Sequence, residues 1–197
     1  MGGTGSAIIK LKNDAYGVTL EKPIDSTVTL NVMKALLSMN QYVLLISYGG
    51  SESIRDIQQR LNRNYEDYVG LMPCDGLYGR EMNKALIKVL QAIEGLSPSE
   101  ATGTFGETTK KKCPIFPPDG DPEAISLFRN AMTCNGYLTG EGTTWDLLLE
   151  ASVRTFQKNM CIPETGKADL NTWMSLLLSS GNPERSATVC DTRFEIT

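Results

Sequence analysis

"CDGLYGREMNKALIKVLQAIEGL", Cys74 to Leu96, is echoed further along the chain by "GEGTTWDLLLEASVRTFQKNMCI", Gly140 to Ile162, and the two align without a gap. Asp75-Gly76 falls over Glu141-Gly142, Ala85 over Ala151, and Leu90-Gln91 over Phe156-Gln157. Each stretch reads as a turn, an amphipathic helix and a second turn. In the first copy Met82, Leu86, Val89, Leu90 and Ile93 recur at helical spacing, the pattern of a helix with one buried face. Gly95 stands where a C′ glycine closes such a helix. In the second copy Trp145, Leu149, Val153, Phe156 and Met160 form the equivalent stripe.

Working outward, each copy has a helix before it and a shorter one after it. Ahead of the first lies "SESIRDIQQRLNRNY", with Ile54, Ile57 and Leu61 on one face and Ser53 with Asp56 as a variant capping box. Ahead of the second lies "DPEAISLFRNAMTCNG", where Ile125, Phe128 and Met132 keep the same spacing. Asp121 is its N-cap, Pro122 its first residue and Gly136 its end. Behind the copies come "ATGTFGETTKK" and "TGKADLNTWMSLLLSS", the latter capped by Asp169 with Leu170, Trp173, Met174 and Leu177 facing inward. A partial third copy opens the chain. "IIKLKNDAYGV" matches "VRTFQKNMCI", and "TLNVMKALL" matches "DLNTWMSLL", setting Leu30 over Leu170 and Leu36-Leu37 over Leu176-Leu177.

The expected fold is therefore all-α, a tandem array of small three-helix units with the first one partial. Its expected divisions are a leader at 1–6, the partial unit at 7–48 packing on its neighbour, complete units at 49–117 and 118–181, and a tail at 182–197. Tyr42 to Ile46 is apolar and β-prone, and reads as a buried segment between units, with a short strand as the alternative.

Composition narrows the function. The 197 residues are 41% hydrophobic and 21% charged, with a net charge of −4, a globular profile without the basic balance of a duplex nucleic-acid binder. No apolar run reaches the ~18–20 residues that cross a bilayer, and the start of the chain has no signal-peptide pattern. The lack of histidine removes imidazole bases and His-containing metal sites. The five cysteines form no C-x-x-C pair, so neither metal nor cofactor is expected. Cys134 and Cys161 each follow a helix of one unit, and the sequence leaves open whether they meet.

Taken in order, "DGLYG", a helix ending in "FQ" or "LQ", a "GL" turn and "TGKADLNTWMSLL" resemble the peptidoglycan-binding-domain-like family, over Ile8 to about Leu178. The resemblance implies three-helix modules that hold lytic enzymes on bacterial cell walls. Departures are visible. Thr144-Trp145 stands where the other copy has Tyr78-Gly79, and Lys12 stands where the family has glutamine. "RSATVCDT" is similar to the junction at which such modules lead into a glycoside-hydrolase-like barrel in phage and Gram-positive lysins. That likeness would put Asp191 at the end of a first barrel strand and leave catalysis outside these residues.

The candidate ligand-binding residues are Asp75, Tyr78, Arg80, Asn83, Tyr137 and Trp145. Aromatic faces suit sugar C–H surfaces, and an arginine suits the carboxylates of a stem peptide. For each there is a plainer role: Asp75 bonding its own backbone, Tyr78 packing under the turn, Arg80 and Asn83 on a solvated helix face, Tyr137 as a staple, Trp145 in the core. The expected function is non-catalytic binding of peptidoglycan glycan or stem peptide at the bacterial wall, outside the cell or on release at lysis. The alternatives are a structural or oligomerising spacer of a lysin and, behind it, an autonomous wall hydrolase.

Overall fold

A computed structural model describes residues 3–17, 24–38 and 40–178. Among these residues the chain is helical, with α1 (Gly3–Tyr16), α2 (Leu30–Leu37), α3 (Glu52–Val69), α4 (Arg80–Ile93), α5 (Glu107–Lys112), α6 (Pro122–Cys134), α7 (Leu147–Asn159) and α8 (Leu170–Leu178). A single 3-10 turn covers Ile46–Tyr48, and the one extended pairing is an isolated bridge between Phe116 and Ala168. The all-α expectation holds. The described residues fall into two compact units that divide within α4, between Ala85 and Leu86.

In the first unit α1 packs on α3 around a core of Ala15, Val32, Ala35, Tyr42, Leu71 and Cys74. Asn62 on α3 is fully buried. Its amide nitrogen donates to the carbonyls of Ala15 at 2.9 Å and Met72 at 3.0 Å, and its oxygen accepts from Met72 N–H at 2.9 Å. A buried amide is tolerated only when its groups are paired, and here the bonds also tie two separate stretches of chain, at Ala15 and Met72, to α3. Glu66 adds a polar tie, accepting from Tyr16 Oη at 2.8 Å and Asn31 Nδ2 at 2.9 Å.

The second unit is built on aromatic side chains. Phe128 of α6 meets Trp173 of α8 edge-on at 4.8 Å between ring centroids, and Phe116 lies edge-on to both. Such pairs add to area burial through the quadrupoles of the rings. Trp173 donates its indole N–H to Pro114 O at 2.9 Å, so the largest core side chain leaves no polar group unmet.

Most helix ends follow the sequence. Asp121 accepts from Ala124 N–H at 2.9 Å with Pro122 in the first turn, and Asp169 accepts from Thr172 N–H at 2.9 Å. Gly95 and Gly136, at φ 86° and 84°, close α4 and α6 with the reverse hydrogen bonds of a left-handed cap. Four features differ. α3 starts two residues earlier than expected: Ser51, not Ser53, is its cap and receives the Ile54 N–H. Trp145 precedes α7, whose N-cap is Asp146, and so is not on that helix's stripe. Tyr42 is buried, but Val43 and Ile46 are exposed and no strand forms. Gly3 to Ser6, set apart as leader, belong to α1.

Cys161 is disulfide-bonded and Cys74, Cys113 and Cys134 are not, so Cys134 and Cys161 are not paired with each other. The tail at 182–197, with Asp191, lies outside the described residues.

One buried group makes the second unit sensitive to pH. Both carboxylate oxygens of Glu94 are shielded from water with no hydrogen-bond partner, beside Cys113 and the Lys112 segment. Burial raises its pKa from 4.5 to about 7, with Lys112 opposing the shift. The folded chain thus holds a proton that the unfolded chain releases between those values. Stability is fullest below about pH 4.5 and falls as pH rises to about 7. Glu94→Gln is expected to remove that fall, raising stability at pH 8 by about 1 kcal/mol after allowance for partial solvent contact. Urea unfolding at pH 5 and pH 8 measures it. An unchanged difference between the two pH values would assign the dependence to another group.

Candidate binding surface

Three buried glutamines each fix a turn, and the first of these turns carries candidate residues. Gln58 of α3 donates to Asp75 Oδ1 at 2.9 Å and Leu77 O at 3.1 Å, and accepts from Gly76 N–H at 2.8 Å. Gln91 of α4 donates to Thr104 O and Thr109 Oγ1 and accepts from Gly103 N–H. Gln157 of α7 donates to Thr165 Oγ1, Lys167 O and Thr172 Oγ1 and accepts from Gly166 N–H. In each case one primary amide satisfies a buried turn that has no ladder or helix to satisfy it. The glycine at each turn has positive φ. At Gly76 a β-carbon would also lie 2.6 Å from Ser51 O.

The first of these turns carries four candidates. Asp75 Oδ1 accepts from Gln58 and from Leu77 N–H at 2.9 Å, so this oxygen serves the turn itself. Tyr78 is half-buried and donates its hydroxyl to Asn83 Oδ1 at 2.9 Å, which brings these two candidates together across the start of α4. Arg80 is exposed at the first residue of α4.

Tyr137 and Trp145 belong to the α6–α7 connection, where their partners are different. Tyr137 packs edge-on against Phe156 at 5.2 Å and accepts from Asn159 Nδ2 at 3.1 Å. Trp145 lies over Phe116 and Phe128 at 5.4 and 5.7 Å, with its indole N–H shielded from water and unpaired.

This connection is organised by Arg129 of α6, a residue the sequence does not single out. Arg129 is buried, and its guanidinium donates to Thr139 O, Thr144 O and Asp146 Oδ2. Asp146 also caps α7 through Leu149 N–H at 2.8 Å, and that bond together with Arg129 holds its carboxyl below the usual range. The fork of the guanidinium spans three points of one loop, which a single amide cannot do. The loop so held turns Leu138 and Leu147 outward, 76% and 85% exposed. The available signal was register: Arg129 directly follows Phe128 of its apolar stripe, as Gln58 directly follows Ile57.

Lys12 occupies the glutamine position of the front copy. It is buried and pairs with Asp25 at 2.8 Å. Hydrogen bonding from Lys12, and then from Thr27, lowers the Asp25 pKa to about 2. No group of three or more His, Cys, Asp or Glu side chains suited to a metal occurs among the described residues, and no described helix is long and apolar enough to cross a membrane.

The sequence pattern of the FadG/YbfG PGDB-like domain matches residues 47–177. The chain is 45% identical over 193 residues to the uncharacterized protein YbfG of Bacillus subtilis (strain 168), covering 96% of this chain and 26% of YbfG. It is 40% identical over 178 residues to the uncharacterized protein FadG of the same strain, covering 88% of this chain and 31% of FadG. The chain thus spans between a quarter and a third of the length of these relatives. No solved structure matches it. A match over two complete turn–helix–turn copies and their buried glutamines, with two relatives aligned along most of the chain, means that the chain belongs to the FadG/YbfG PGDB-like domain family.

Proposed function

We propose that the chain is a non-catalytic peptidoglycan-binding region, arranged as tandem modules, that holds a lytic enzyme on its wall substrate. The observation that carries this reading is the family match over residues 47–177. The geometry supports it physically. Arg80 and the Tyr78–Asn83 pair in one unit, and Leu138, Leu147 and Trp145 in the other, stand on turns whose backbones are already locked by Gln58 and Arg129. Side chains on a fixed frame bind with little ordering cost. Two weak contacts in one chain gain avidity, because the second becomes intramolecular. A repeating polymer offers the matching array of sites.

Co-sedimentation with purified Gram-positive sacculi, with and without teichoic acids and across a salt series, tests the reading. Saturable binding is expected to survive removal of teichoic acids. Arg80→Ala together with Leu138→Ser is expected to weaken it about tenfold, equal to about 1.4 kcal/mol. Absence of binding to any wall preparation would reject the reading in favour of a structural spacer.

A further inference from the structure

The register that sets "TLNVMKALL" over "DLNTWMSLL" pairs each residue of α2 with one of α8, and burial can be compared position by position. Val32 and Thr172 are both buried, so the two helices present the same side to their own turns. The next positions diverge. Trp173, Leu176 and Leu177 of α8 are 0%, 0% and 1% exposed, whereas Met33, Leu36 and Leu37 of α2 are 46%, 47% and 77% exposed. The helix that precedes α2 shows the same contrast. Ile8 and Leu11 of α1 are half-buried where Val153 and Phe156 of α7 are fully buried.

The cause is visible in the second unit. α6 packs on α8, and its Phe128 meets Trp173 face to edge at 4.8 Å. Asn135, the C-cap of α6, reaches Leu176 O. Among the described residues α2 has no helix in that position. α3 lies on α1, and its Glu66 and Asn62 are spent on Tyr16, Asn31 and the Ala15 carbonyl. The side of α2 left open is a methionine and two leucines with helical spacing, uncharged and continuous with Leu30, which is itself exposed. A contiguous apolar face of this kind marks a docking surface.

We infer that this face of α2 is the seat of an amphipathic helix of the α6 type, supplied by polypeptide that precedes α1 in the longer proteins of the family. The occupant would present an apolar stripe at the spacing of Ile125, Phe128 and Met132, with its middle aromatic residue over Met33. Order along the chain favours this source over a second copy. In the second unit the covering helix comes before the turn–helix–turn that it covers, and the relatives that match here carry most of their length outside the aligned region. The seat needs no carbohydrate, so it is independent of wall binding.

Fluorescence polarisation with labelled peptides copying residues 121–137 and 51–70, the two leading helices of this chain, tests the inference. At least the first is expected to bind the intact chain saturably. Met33→Asp with Leu37→Asp is expected to weaken that binding tenfold or more. Both positions are exposed, so helicity by circular dichroism is expected to stay unchanged. Leu147→Asp, in the other unit, is expected to leave binding unaltered. No saturable binding by either peptide, or binding indifferent to the α2 pair, would overturn the inference. Sedimentation equilibrium supplies the rival outcome: a dimer of the chain that the α2 substitutions dissociate would assign the face to a second copy and also overturn it.

Discussion

Trp173→Ala is expected to destabilise the second unit by about 4 kcal/mol, within the range for truncating a buried aromatic side chain. The side chain is fully buried between α6 and α8, and both Phe128 and Phe116 rest against its ring. Removing it takes away transfer free energy and leaves a void that aromatic neighbours, edge-on and fixed by α6 and the Phe116–Ala168 bridge, fill poorly. Pro114 O also loses its donor. Trp173→Phe separates these terms. It keeps most of the ring and loses the indole bond, for an expected cost of about 1–2 kcal/mol. Denaturant unfolding followed by the fluorescence of the remaining Trp145, which packs against the same Phe116 and Phe128, measures both. Equal losses for the two variants would show that the hydrogen bond, rather than packing, dominates.

Gln157→Leu is expected to cost about 3 kcal/mol, although leucine has a similar volume and is more apolar. The loss arises in the partners. Gly166 N–H, Lys167 O and the Thr165 and Thr172 hydroxyls all meet this one amide, which is itself completely buried. An unpaired buried donor or acceptor costs its full desolvation, and several here share one partner. Changing Thr172 to valine as well is expected to cost about a further 1 kcal/mol, because its hydroxyl donates to Asp169 Oδ1 at 2.9 Å, with Lys167 O at 3.1 Å as a second acceptor. The front copy fills the same position differently. Where the front copy has Lys12 instead of glutamine, the position matching Thr172 is Val32, and an acidic residue, Asp25, takes the lysine. A double variant more stable than Gln157→Leu alone would show that the Thr172 hydroxyl depends on the amide. Urea melts of the three proteins under one condition decide it.

Much of this fold was legible because its signals are local. Asp121 with Pro122, Asp169, Gly95 and Gly136 each act within a turn or two of their own position, and sequence spacing is enough to place them. Ser51 was missed in favour of Ser53 because both offer a hydroxyl near the helix start, and backbone direction, not residue type, chooses between them. The segment Tyr42 to Ile46 misled for a similar reason. Apolar residues in a row suggest burial, yet Tyr42 alone turns into the core, donating to Leu71 O at 3.1 Å. The candidate site was less legible. Asp75 and the Tyr78–Asn83 pair lie inside a recognisable turn, but Arg129 acts across ten to seventeen residues of loop. An arginine on a helix ordinarily reads as a solvated charge. Only the path of residues 139–146 turns it into the organiser of a loop. Trp145 was placed on a helix stripe that begins only after Asp146, so its contact with Phe116 came from tertiary packing that no local period encodes.

The five side-chain ties that hold these loops, from Gln58, Gln91, Gln157, Lys12 and Arg129, also differ in kind. Gln58, Gln91 and Gln157 carry no net charge, so dissolved counterions leave their turns as they are. The tie between Lys12 and Asp25 is ionic, and its carboxylate is solvent-facing. Mobile ions therefore compete for it. The front helices, and the α6–α7 loop held by Arg129 and the half-exposed Asp146, are therefore the parts of the chain whose footing responds to the ionic surroundings, while the turn held by Gln58 keeps one shape.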